Sequence, residues 1–285
     1  MLKLKGIEEV YYPQTIKETV DILRSHGDLA EVVGGGLDIS VFPNPRIKFL
    51  IFLDNLNLSY VKDSSEGIKI GAMTTITNLI ESELIKDYMG GSMHSILPEI
   101  ATELLRNQIT IGGSLGKREP YSDIVTLLYG LNGKIVLSDG EWDEIVSIND
   151  FYKENFKRLL KERIIKEVII EKYTKDYFFS MKRYVRNATD IALFNMAILL
   201  KTEGNEIISA RVVAGSRPKP AYLMQEAGEF LKGKELSEDL AEEFGKFVEE
   251  HIEVGTDTRT TEEYRKNLSH VYAKRILLEA MEAAK

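Results

Sequence analysis

The chain has 285 residues, 44% hydrophobic and 29% charged, which predicts about two domains and a composition ordinary for a soluble globular protein. Its net charge of −8 argues against nucleic-acid binding that rests on general basicity. Cysteine is absent, which excludes disulfides, thiol nucleophiles, cysteine zinc sites and iron–sulfur clusters held by this chain. Much of the negative charge lies in Gln225–Glu253, where ten acidic residues stand against three basic ones, the pattern of a solvated helix face. No run approaches the ~18 apolar residues of a membrane span. The lysines of Met1–Gly6 are followed by no apolar stretch of a secretory signal, so the expected location is the cytoplasm, and Asn187-Ala-Thr189 and Asn267-Leu-Ser269 read as chance glycosylation matches.

Taken in order, Thr15–His26 reads as a helix with Ile16, Val20 and Leu23 on one face and Gly27 as its stop. Ala30–Val33 is a short apolar run ending at Gly34-Gly35-Gly36, and Ile47–Leu53 is strand-like. Tyr60–Ala72 predicts a hairpin turning near Glu66-Gly67. Ile76–Leu84 and Ser92–Leu105 read as helices, and Ile109–Ile111 is a short apolar run followed by Gly112-Gly113. Asp123–Tyr129 predicts a helix; Lys134–Leu137 and Ile164–Ile170 predict strands. The pattern changes near Thr174. Beyond it, Tyr177–Val185 is strand-like, Met196–Leu200 and Ile207–Ala214 flank the turn residues Glu203-Gly204-Asn205, and Ala221–Leu231, Ser237–His251 and Thr260–Ala284 read as helices.

Two glycine clusters end apolar runs: Val32-Val33-Gly34-Gly35-Gly36 and Thr110-Ile111-Gly112-Gly113-Ser114. Glycine opens backbone angles closed to other residues and lets main-chain N–H groups approach a ligand, and consecutive N–H groups form concave sites for anions such as pyrophosphate. Tight turns after strands are the alternative; a pair of such clusters favours a phosphate-bearing ligand. GxGxxG is absent at both, against a Rossmann site. Gly112–Lys117 has the wrong spacing for a Walker loop, and Arg118 stands where Ser or Thr would bind magnesium. His26, His94, His251 and His270 lack metal-site spacing, and no catalytic or metal-ligating residue is assigned. Glu119, Asp123 and the other carboxylates near the second cluster could do acid–base work, and Asp123 could equally cap the helix that follows.

Further segments are distinctive: Gly34-Gly35-Gly36-Leu37-Asp38-Ile39, Ile51-Phe52-Leu53-Asp54-Asn55-Leu56, Ile70-Gly71-Ala72-Met73-Thr74-Thr75, Arg106-Asn107-Gln108-Ile109-Thr110-Ile111-Gly112-Gly113-Ser114, Pro120-Tyr121-Ser122-Asp123, Lys182 with Asp190-Ile191-Ala192, and Tyr264-Arg265. Through them the chain resembles, over about residues 5–280, the FAD-binding medium subunit of the molybdenum hydroxylases, the family of carbon monoxide dehydrogenase, xanthine dehydrogenase and aldehyde oxidoreductases. Its departures are Leu37 in place of Thr or Gln, Arg118-Glu119 in place of small residues, and Glu171 in place of a proline.

The resemblance implies an α+β fold: a two-lobed FAD-binding domain of the PCMH/vanillyl-alcohol-oxidase-like type over 1–174, with lobes of about 1–57 and 58–174, then a smaller α+β C-terminal domain over 175–285. It implies an oxidoreductase subunit passing electrons from two [2Fe–2S] clusters in a small partner, through FAD, to an external acceptor. A large partner would carry the molybdenum cofactor and the substrate-oxidation site, in a dimer of heterotrimers. The implied FAD contacts are Val33, Gly34, Gly35, Gly36, Leu37, Asp38, Thr110, Ile111, Gly112, Gly113, Ser114, Asp123, Ile165 and Lys182. Asp123 would accept from cofactor hydroxyls, Lys182 would lie near the isoalloxazine, and one of Tyr177, Phe178 and Phe179 would stack on it. An assembly subunit that has lost FAD and a stand-alone flavin reductase are the alternatives.

Overall fold

The computed structural model describes residues 6–153, 155–216 and 218–284; Met1–Lys5, most of the segment read for a secretory signal, lies outside them. The chain forms two compact units, Met1–Leu84 with Thr102–Lys117 and Gly133–Glu171, and Ile85–Ala101 with Arg118–Asn132 and Lys172–Lys285. The sequence reading divides the chain into consecutive domains at 174, with lobes of about 1–57 and 58–174 in the first. The structure places the internal segments 85–101 and 118–132 with the second unit.

In the first unit, β1 (Glu9–Tyr11), β2 (Ala30–Val33) and β3 (Phe49–Phe52) form a parallel sheet in the order β1-β3-β2. Parallel neighbours need a crossover, and the helix Ile16–His26 returns the chain from β1 to β2. Thr15 caps it by accepting from the Glu18 N–H, Val20 and Leu23 are buried, and Gly27 ends it at φ 54°. An antiparallel sheet follows, with order β4 (Val61–Ser64), β5 (Gly67–Gly71), β8 (Ile164–Ile170), β6 (Lys134–Ser138), β7 (Asp143–Ser147). Its central β8 is buried at all but Lys166, with isoleucine and valine on both sides of the Lys166-Glu167 pair, as a strand covered on both faces requires.

The expected helix Ser92–Leu105 is instead three short pieces: helix Ser92–Ile96, a 3₁₀ turn Leu97–Glu99, and helix Glu103–Arg106. Pro98 lies in the first positions of the turn, Ala101 takes a left-handed φ of 53°, and Thr102 caps the last piece. Each of these interrupts a continuous helix.

The second unit is an antiparallel sheet of β9 (Tyr177–Tyr184), β10 (Phe194–Glu203), β11 (Glu206–Ser216) and β12 (Lys219–Leu223), ordered β12-β11-β10-β9. β12 occupies residues expected to begin a helix; that helix starts only at Gln225. One face of the sheet, through Phe194, Met196, Ile198 and Leu200, packs on the helices Gln225–Leu231, Glu238–His251 and Glu262–Ala283. The other face receives the helix Asp123–Gly130, all of whose residues are buried. Gly130 lets this helix approach the sheet, since a Cβ there would sit 2.6 Å from Ala197 Cβ. At the sheet margin, Arg186 and Arg259 both engage Asp190, at 2.6 and 2.9 Å. The hydrogen bond from Arg186, then that from Arg259, hold the Asp190 carboxyl below its ordinary range against burial. A depressed carboxylate contributes stability above its unfolded pKa of about 3.9 and loses it as the pH falls through the folded value. The stability gap between wild type and Asp190→Asn is therefore expected at pH 7 and should close only as the pH falls below the ordinary aspartate range, read by thermal unfolding across pH.

Candidate cofactor site

The two glycine loops meet within the first unit. The first leaves β2 at Val33, which is buried with Ile47 and Leu50, and enters the short helix Leu37–Val41, with Gly36 as its N-cap at φ 73°. The second opens the helix Ile111–Lys117, whose Ile111 is fully buried. Their backbones are in close contact. A Cβ on Gly34 would lie 2.6 Å from Thr110 Oγ1, and one on Gly35 only 1.5 Å from the Gln108 carbonyl oxygen. Gly112 approaches Ala72 in the same way, at 2.8 Å. The glycines are thus required first for chain-to-chain approach.

The loops differ in where their donors point. In the second, the Gly112 N–H donates to Ala72 O (2.8 Å), the Gly113 N–H to Thr110 Oγ1 (3.2 Å) and the Ser114 N–H to Thr110 O (3.0 Å). In the first, the N–H groups of Gly34, Gly35, Gly36 and Leu37 have no acceptor among the described residues. These residues are part-buried, and Leu37 opens a helix whose first N–H groups have no intrahelical partner; a row of such donors is the form of an anion cradle. The expectation of donors from both loops is corrected on this point: Gly112, Gly113 and Ser114 are satisfied internally, and the open row belongs to the first loop.

Asp38 joins a charge cluster that sequence reading missed. Lys117 Nζ lies 2.5 Å from Asp38 Oδ2 and 3.0 Å from Glu31 Oε1. Burial pushes the Lys117 ammonium down, but hydrogen bonds to Asp38 and Glu31 outweigh it and hold its pKa above the ordinary lysine value. No spacing rule links these residues, which come together only through the meeting of the loops.

Asp123 and Lys182 belong to the second unit. Asp123 is not the helix cap, because Ser122 holds that place and accepts from the Val125 N–H. Its carboxylate is already engaged: Arg183 Nε donates to one oxygen at 3.0 Å and Asn195 Nδ2 to the other at 2.7 Å. Burial lifts this carboxyl above its ordinary range, against the pull of Arg183 and Asn195. The expected acceptance from cofactor hydroxyls therefore meets a side chain occupied by structural partners.

Lys182 lies on the opposite face of β9 from Arg183, as strand alternation requires. There it pairs with Glu279 of the C-terminal helix at 2.5 Å. Phe179 is buried beside Gly130, Phe178 packs on the helical core, and Tyr177 packs on Tyr173 at 4.7 Å between ring centres. Ile165 is buried in β8 opposite Leu137. Tyr264-Arg265 also has structural partners: Tyr264 donates to the Tyr184 hydroxyl at 2.7 Å, and the fully buried Arg265 pairs with Asp257 and donates to Leu193 O.

Residues 5–172 match the FAD binding domain of molybdopterin dehydrogenase, and residues 179–280 the CO dehydrogenase flavoprotein C-terminal domain. The chain belongs to this FAD-binding medium-subunit family of the molybdenum hydroxylases. Family membership makes it an oxidoreductase subunit with FAD as its cofactor, and the open N–H row of Gly34–Leu37 fits the pyrophosphate of that cofactor. Among relatives, it is 27% identical to the glyceraldehyde dehydrogenase medium chain of Sulfolobus acidocaldarius, over 90% of this chain and 92% of that one. The fold is that of solved structures of carbon monoxide dehydrogenase from Hydrogenophaga pseudoflava (TM-score 0.89, 21% identity, 97% of this chain and 98% of that one). Quinoline 2-oxidoreductase from Pseudomonas putida 86 has it too (TM-score 0.88, 22% identity, 99% of each chain). No helix among the described residues is long and apolar enough to cross a membrane.

Proposed function

We propose that the chain binds the FAD pyrophosphate on the N–H row of Gly34, Gly35, Gly36 and Leu37, and passes electrons from [2Fe–2S] clusters of a small partner through FAD to an external acceptor. The substrate is oxidised at a molybdenum cofactor in a large partner, in a cytoplasmic dimer of heterotrimers. Residues 1–174 act as the FAD-binding domain and 175–285 as the C-terminal domain, a division supported by the family matches over 5–172 and 179–280. The observation that carries the cofactor assignment is the donor row without an acceptor in a chain of this family. FAD, when bound, supplies the redox chemistry. The chain's own residues bind and orient it: the first loop offers donors, while Gln108 and Thr110 stand against Gly35 and Gly34 of that loop. The partner assignment is supported by the absence of cysteine from this chain and by relatives that are medium chains of dehydrogenases.

Purified wild type is expected to carry FAD, seen as a flavin spectrum and released by denaturation. Gly113→Val should lose it, because a branched side chain cannot share the space in which a Cβ alone lies 2.8 Å from Thr110 Oγ1. Full flavin content in folded Gly113→Val would refute the role given to this loop. A folded wild type that takes up no FAD would instead favour the assembly-subunit reading. Co-purification of iron–sulfur and molybdenum-bearing chains tests the partner assignment, and its failure with flavin bound would favour the stand-alone reductase.

A further inference from the structure

The Lys117–Glu31–Asp38 cluster lies outside both glycine turns yet spans them. Glu31 stands on β2 before Gly34, Asp38 in the helix that follows Gly36, and Lys117 at the end of the helix begun by the second loop. One ammonium, 3.0 Å from Glu31 and 2.5 Å from Asp38, thus joins the strand entering the first loop to the helix leaving it, and ties both to the second. We propose that Lys117 is a positioning residue that latches the Gly34–Leu37 donor row in its FAD-binding shape and touches the carboxylates rather than the cofactor. The inference rests on the FAD reading above.

Two physical arguments support it. A run of glycines has the largest conformational freedom of any sequence, so a loop held beforehand spends less ordering entropy when its ligand arrives. Glu31 and Asp38 also flank a row meant for a doubly charged pyrophosphate. Without a cation between them, two carboxylates would repel each other and the ligand. Their side chains are only 21% and 29% exposed, so solvent screening is incomplete.

The test is FAD titration of the full-length apo-chain, followed by flavin fluorescence, with thermal unfolding measured in parallel. Lys117→Met keeps the apolar stem and removes the charge. It is expected to weaken FAD binding about tenfold while leaving the apo-protein's thermal midpoint near that of wild type. Lys117→Arg, which can bridge the same carboxylates, should restore affinity to within about threefold. In the Glu31→Gln/Asp38→Asn background the latch is already absent, so adding Lys117→Met should weaken binding no further. Wild-type affinity in Lys117→Met overturns the proposal. So does a full tenfold loss in the Glu31→Gln/Asp38→Asn background, which would mean that Lys117 acts on the cofactor directly. Wild type that binds no FAD overturns the reading of the site itself, whereas normal wild-type binding with a silent Lys117→Met overturns only the latch.

Discussion

Gly35→Ala is expected to leave the chain without FAD and with a destabilised first unit. The added methyl carbon would be built 1.5 Å from the Gln108 carbonyl oxygen, less than half a contact distance, and the obstacle is backbone rather than a side chain that can swing aside. Relief requires the two loops to separate, which displaces the donor row and opens the packing around Val33 and Thr110. Overpacking of this kind costs about 1–3 kcal/mol or more. Gly116→Ala is the control. Its Cβ would meet only Leu160 Cδ1 at 3.7 Å, and alanine suits a helix better than glycine by about 1 kcal/mol. The thermal midpoints of the two variants should move in opposite directions, and flavin content should fall only in Gly35→Ala. Normal FAD content in Gly35→Ala would mean that the close approach of the loops is unnecessary for the site.

Removal of the Arg183 guanidinium is expected to be the most damaging change in the second unit. Arg183 and Asp123 are buried together, with side chains 3% and 4% exposed. Arg183 also donates to Glu99 O at 2.6 Å and to Asp190 O at 3.2 Å. Arg183→Leu leaves a buried carboxylate without its cation, a loss of about 3–5 kcal/mol. Its pH dependence has a definite sign. With the cation gone, burial raises the folded pKa of Asp123 still further above the unfolded value, so the folded variant is best tolerated with the carboxyl protonated. Its stability should fall as the pH rises through that interval. Denaturant unfolding at pH 4 and pH 7 checks this, and a variant as stable as wild type at pH 7 would refute it. Asp123→Asn, which keeps an acceptor for Arg183, should be milder, and should lower stability more than FAD affinity.

Legibility in the sequence followed burial. β8 and the helix Glu238–His251 could be read directly, the first from its isoleucines and valine on either side of Lys166-Glu167 and the second from its amphipathic period behind Ser237. β7 carries the exposed residues Asp143, Glu144 and Ile145, and so shows no clean alternation; β1 is similarly exposed. β12 was hidden because its apolar residues run on into the next helix. At the site, the glycine loops were legible because their requirement is local. The occupation of Asp123 was not, because Arg183 and Asn195 reach it only once β9 and β10 lie beside its helix. The same reason hid Lys117, whose partners lie on the far side of the sequence.

The buried helix Asp123–Gly130 also sets a timetable for synthesis. It is translated well before β10 and β11, which cover it. At a typical 5–20 residues per second, the ribosome needs roughly 4–20 s to reach the end of β11 after completing this helix. For that interval an apolar segment waits uncovered on the nascent chain. Ile85–Ala101 waits longer still for the rest of its unit. Slower translation across residues 131–216 would therefore lengthen the exposure of the helix and lower the yield of soluble protein, while leaving the finished fold unchanged.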